Sequence, residues 1–145
     1  MSLVRLIYVS SASHTLSDAE LDEILASAAR HNKPANLTGM LLYSDGSFMQ
    51  VLEGETENVD AIYAKICQDR RHHSIVRLCT DPIDERDFAT WSMGFKRLTA
   101  SDAAANPQFA PLFVNGFDAE RIGAKDGVAL QILKEFSQRG YPERG

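Results

Sequence analysis

The chain has 145 residues, 20 acidic and 15 basic side chains and a formal net charge of -5, enough length to bury about two thirds of its unfolded surface without disulfides or a metal. The acidic balance argues against a general nucleic-acid binder, because the nearest approach to a basic stripe, Arg70, Arg71, His72 and His73, is short and local. Cys67 and Cys79, with no charged-then-apolar leader before them, are expected to be reduced thiols in a cytoplasmic protein, and no apolar run approaches the roughly 18 residues of a membrane span.

Leu3, Val4, Leu6, Ile7 and Val9 read as a strand buried on both faces. Tyr8 lies within it, and a buried phenol without a partner costs about 1–3 kcal/mol. The segment LSDAELDEILASAARHN opens with the capping box of Ser17 and Glu20 and then places Leu21, Ile24, Leu25 and Ala28 at helical spacing, until Pro34 ends the helix. Residues 37–43 and 47–53 read as two strands joined at Asp45 and Gly46, a hairpin signal. A second helix begins at Thr56 or Glu57 and runs to about residue 69, with Val59, Ile62 and Ile66 on its buried face. SIVRLCTDPI reads as a fourth strand stopped by Pro82, and WSMGFKRL as a fifth with Trp91, Met93 and Phe95 on one face.

The order is β-α-β-β-α-β with an added strand. It predicts an α+β, ferredoxin-like domain over residues 1–99, with two helices on one face of the sheet. Residues 100–145 form a C-terminal extension: ASDAAANP reads as turns, and residues 118–140 as one helix weakened by Gly123 and Gly127, each costing about 1 kcal/mol relative to Ala. Val128, Leu130, Ile132, Leu133 and Phe136 give that helix more apolar surface than water tolerates. It is therefore expected to pack on the exposed sheet face, in a subunit interface, or both.

Ile24, Ala28 and Asn32 share one face of the first helix, and Ile62, Ile66 and Asp69 make a similar face of the second. A slot between the helices would let Ile24 and Ile66 clasp a flat ring, with Asn32 and Asp69 at its ends. Beneath it, strand alternation puts Phe48, Gln50 and Leu52 on one face and Val4, Leu6 and Tyr8 on one face; if both faces point to the helices, the Gln50 amide can reach the Tyr8 hydroxyl. Singly, these residues read as core, cap or solvated loop. His14 and His31 lack the paired spacing of a zinc site.

The stretches LIYVS with Tyr8, ARHN with Asn32, LTGMLLY, FMQVLEG with Gln50, DRRHHS from Asp69, and FATWSMGF with Trp91 and Met93 resemble the BLUF domain, the blue-light sensor that uses FAD. The tail resembles that of short stand-alone members. The resemblance implies the same ferredoxin-like sheet with the flavin between the two helices. Gln50 would lie between the Tyr8 hydroxyl and the flavin, Asn32 at its pyrimidine edge, Arg71 near a ring carbonyl, Asp69 and His72 on the ribityl side, and Ile24 and Ile66 on either side of the ring. Lys65 is the candidate for the phosphate end, and either Trp91 or Met93 would sit next to Gln50. Ala28 stands where some relatives carry a hydroxyl. The implied function is photoreception, not catalysis, with output to a separate effector protein and a homo-oligomeric state expected. The competing class is an acylphosphatase-like hydrolase built on Arg5 with Asn32 or Asn36, against which stands the lack of a glycine-rich phosphate loop at SSASHT. A cofactor-free interaction module is a third.

Overall fold

The computed structural model describes residues 2–89, 93–113, 116–124 and 127–137. Its elements are β1 (Leu3–Ala12), α1 (Asp18–Asn32), β2 (Thr38–Ser44), β3 (Ser47–Glu55), α2 (Thr56–Cys67), β4 (His72–Ile83), β5 (Gly94–Arg97), α3 (Ala100–Ala105), α4 (Ala119–Gly123) and α5 (Val128–Ser137). The sheet order is β4-β1-β3-β2-β5. Neighbouring strands are antiparallel except β2 and β5, which run parallel. This is the expected ferredoxin-like sheet with an added fifth strand.

Strand alternation divides the interior into two cores. Val4, Leu6 and Tyr8 of β1, with Leu41, Phe48 and Leu52, pack under Leu21 and Leu25 of α1 and Val59 and Ile62 of α2. Ile7, Val9, Met40, Leu42, Met49 and Val51 point the other way, onto Phe113, Ile122, Ile132, Leu133 and Phe136 of the C-terminal region. The sheet thus has a helix side, formed with α1 and α2, and a tail side.

The local signals explain most boundaries. The capping box of α1 is formed in both directions, Glu20 N donating to Ser17 Oγ at 3.2 Å and Ser17 N to Glu20 Oε1 at 3.1 Å. Asp45 and Gly46 both have positive φ, 46° and 79°, as a two-residue hairpin turn of the mirror-image type requires.

Five boundaries differ from the sequence reading. The second helix stops at Cys67, because the Asp69 carboxylate takes the Arg71 backbone N–H at 2.9 Å and turns the chain. The fourth strand starts at His72 and runs through Pro82 to Ile83; β4 is an edge strand, where a missing N–H is tolerated. ASDAAANP contains α3, capped by Thr99 and Asp102 in a second capping box. The tail is two helices, since Gly127 adopts φ 83° and breaks the run ahead of α5. β5 begins only at Gly94, so Met93 precedes it, and Trp91 lies outside the described residues.

Candidate functional site

A cavity of about 320 Å³ opens between α1 and α2. Its floor is β1 and β3, which place Tyr8 and Gln50 as direct partners in the ladder. The Tyr8 hydroxyl donates to Gln50 Oε1 at 2.5 Å, and Gln50 Nε2 donates to Met93 Sδ at 3.3 Å. All three side chains are buried. The phenol therefore has the partner its burial demands, and that partner is itself held from its other end.

Burial pushes the Tyr8 phenol well above the ordinary tyrosine value, and the nearby acidic groups of Tyr63, Cys67 and Asp69 push in the same direction. Tyr8 consequently stays a neutral O–H donor throughout the physiological range.

The walls repeat the helical faces read from the sequence. Ile24 and Ile66 are half-buried and line the cavity from opposite helices, while Asn32, the last residue of α1, is buried and lines its end. Lys65 of α2, Asp69 and Arg71 of the turn that follows, and His72 at the start of β4 also line it. Arg71 holds Asp69 by Nε at 2.9 Å and by Nη2 at 2.5 Å. The Arg71 hydrogen bonds keep the Asp69 carboxyl below its usual value and, reciprocally, raise the guanidinium. His72 Nε2 lies 2.7 Å from the Ile66 carbonyl, which only accepts, so this nitrogen carries a hydrogen, and Nδ1 shares a hydrogen bond with Ser10 Oγ at 2.8 Å. That bond ties β4 to β1 at the pocket wall.

The structure brings together Tyr8, Ile24, Asn32, Gln50, Lys65, Ile66, Asp69, Arg71 and His72 around one cavity. Met93 reaches it through Gln50. The sequence reading missed Ser27 and Gln68, and gave His31 no part in the slot; all three line the cavity. The signal for two of them was present: Ser27 and His31 stand three and seven residues after Ile24, on the same helical face. His31 Nδ1 donates to the Ser27 carbonyl at 2.7 Å, which fixes its ring.

The hydrolase constellation does not assemble with Asn32. Arg5 belongs to the tail side of β1 and pairs with Asp87 at 2.9 Å, whereas Asn32 lines the cavity on the helix side. Among the described residues no group of three His, Cys, Asp or Glu could hold a metal ion, and no helix is long and apolar enough to cross a membrane.

The donor set suits a flat, amphipathic ring: apolar flanks, two buried side-chain amides, and cations toward the mouth. Comparison with known proteins gives the same answer. The family model described as BLUF, sensors of blue-light using FAD, matches residues 3–94. Photoactivated adenylate cyclase subunit alpha of Euglena gracilis is 42% identical over 88 residues, which cover 61% of this chain and 9% of that protein. The blue light- and temperature-regulated antirepressor BluF of Escherichia coli (strain K12) is 38% identical over 91 residues, 63% of this chain and 23% of that protein. The solved structure of BlsA in its photo-activated state superposes with a TM-score of 0.75 at 32% identity, covering 92% of this chain and 93% of that one. This chain thus spans a small fraction of the cyclase subunit and of the antirepressor, and nearly the whole of BlsA.

Proposed function

Because this chain belongs to the BLUF family of flavin-binding blue-light sensors, we propose that it is a photoreceptor that holds FAD non-covalently between α1 and α2 and signals to a separate effector protein, without a catalytic activity of its own. The observation that carries the reading is the buried Tyr8–Gln50–Met93 chain at the floor of the cavity. We take residues 1–99 as the flavin-binding unit and residues 100–145 as its helical extension.

Bound flavin supplies absorption of blue light and, once excited, the oxidising power that removes an electron from Tyr8. The residues around it do the rest. Ile24 and Ile66 would flank the ring, Asn32 would meet its pyrimidine edge, Arg71 would approach a ring carbonyl, and Asp69 and His72 would serve the ribityl side. Lys65 lies toward the phosphates, which is the feature that favours FAD over riboflavin. As the Tyr8 electron passes to the bound ring, its hydroxyl proton would move along the 2.5 Å bond to Gln50 Oε1 and Gln50 would release an Nε2 proton to the ring, so that one electron and one proton leave Tyr8 together. When electron and proton return to Tyr8, Gln50 is left rotated or in its other amide tautomer. Its bonds to Tyr8 and Met93 are then rearranged, and its hydrogen bonding toward the ring shifts the absorption to the red.

An absorption spectrum before and after blue light tests the reading. The expected result is a flavin spectrum with a small, reversible red shift. Protein that releases no flavin on denaturation and takes none up on reconstitution would overturn it.

A further inference from the structure

Glu53 has no place in the photochemistry above, yet it is fully buried, at 0% exposure, on β3 three residues from Gln50. A buried carboxylate is costly unless its lone pairs are taken up by donors. Here they are: Thr38 Oγ1 donates to Oε1 at 2.9 Å, Phe88 N to Oε1 at 3.0 Å and Asp87 N to Oε2 at 2.7 Å. Arg86 Nη1 closes the arrangement, donating to Thr38 Oγ1 at 3.0 Å and to the Glu53 carbonyl at 3.1 Å. Two of the three donors to the carboxylate are backbone groups of the β4–β5 connection.

That connection has an unusual course. β4 and β5 are the two edges of the sheet, so the chain between them must traverse its full width. Phe88 lies in the tail-side core, and Met93, five residues later, lies in the helix-side core. The same segment therefore touches both faces, with Glu53 holding it midway on β3. Its outer side is tied as well. Asp87 pairs with Arg5 at 2.9 Å and with Lys134 of α5 at 3.5 Å.

We propose that Glu53 is a positioning residue of the photoswitch: its clamp on residues 86–88 sets where Met93 stands against Gln50, and Asp87 carries a change in that position to α5 through Lys134. The proposal rests on the reading of Gln50 and Met93 as the light-responsive pair. A shift of Met93 pulls on residues 86–88, and Asp87 joins that stretch to β1 through Arg5 and, across the tail side, to α5 through Lys134.

The test uses the flavin-loaded full chain. Glu53→Gln keeps the shape of the side chain but turns one acceptor into a donor facing the donors it once satisfied. It should bind flavin and show the red shift, with dark recovery changed by about tenfold, as loss of one charge-assisted bond implies, and with faster hydrogen exchange over residues 84–98. Lys134→Ala should leave the flavin spectrum, the red shift and the recovery unchanged, and abolish the difference between dark and lit exchange of the α5 amides. A contact that only stabilised α5 would raise exchange in dark and light alike and keep that difference. Wild-type recovery in a folded Glu53→Gln protein, or a retained light-dependent difference in Lys134→Ala, overturns the proposal and leaves the photoreceptor reading standing. Absence of any red shift in the wild type overturns both.

Discussion

Tyr8 and Gln50 meet because they are register partners of β1 and β3, and a slip of one residue would send either side chain to the opposite face. This is why the pair was legible in the sequence, where period-two alternation sufficed. Met93 was read on the same face as Phe95, and both lie on the helix side although Met93 precedes β5, but only the folded chain shows its sulfur on Gln50 Nε2. Glu53 was passed over as the polar end of a strand, although it continues the alternation of Met49 and Val51 into the tail side. Tyr8→Phe is expected to retain flavin, lose the light-induced red shift, and lower stability by about 1–3 kcal/mol through the unsatisfied Gln50 carbonyl, read by urea unfolding. A full, reversible shift in that variant would remove Tyr8 from the mechanism. The perturbed groups also set a pH window. The Tyr8 value is raised on folding, so its contribution is present below about pH 10 and fades above it; the Asp69 value is lowered, so its contribution is present above about pH 4 and fades as acid protonates the carboxylate. Asp69→Asn should therefore flatten part of the acid limb of the unfolding midpoint, a limb shared with Glu20 and Asp102, and Tyr8→Phe part of the alkaline limb, shared with Tyr63 and Cys79.

At the scale of elements, local chemistry decided the starts better than the ends. The Ser17 capping box and the Asp45–Gly46 turn were readable because each is a fixed residue pattern with one backbone solution. The end of α2 and the start of α3 depend on side-chain bonds to the backbone that compete with hydrophobic periodicity: Asp69 onto Arg71 N, and Asp102 onto Thr99 N at 2.8 Å. A Cβ on Gly39 of β2 would meet the Val51 carbonyl oxygen at 2.0 Å and the Met93 methyl at 3.3 Å. The strand can approach that closely only without a side chain, and the absence of one also leaves room for Met93. Gly39→Ala is expected to cost about 1–3 kcal/mol, the usual range for overpacking, and to displace Met93 from Gln50. Thermal unfolding checks the first effect and the dark absorption maximum the second; an unchanged melting temperature would mean that the β2–β3 ladder yields there without strain.

Across the whole molecule, the sheet separates a light-sensing core from a tail core, and the tail spends its apolar surface inside the chain. Ala129, Ile132, Leu133 and Phe136 of α5 are buried against β-strand residues of the tail side, and among the described residues Val76 of β4 is the exposed large hydrophobic, at 44%. The apolar face that suggested a subunit interface is thus largely satisfied intramolecularly, which the sequence could not settle because one amphipathic face fits either partner equally well. Phe136 is fully buried and meets Phe113 edge-on at a centroid distance of 5.8 Å. Phe136→Ala should cost about 3–5 kcal/mol, as removal of a buried aromatic does. The loss falls on the side of the sheet that holds neither Tyr8 nor the cavity. In conditions where the variant remains folded, its flavin spectrum and red shift should therefore be those of the wild type, while the α5 amides exchange faster in the dark and lose their response to light. Urea unfolding, difference absorption and hydrogen exchange on one preparation separate these effects. If the red shift disappears together with α5 protection in folded protein, the two faces do not act as separable cores, and the sheet itself transmits packing changes into the pocket.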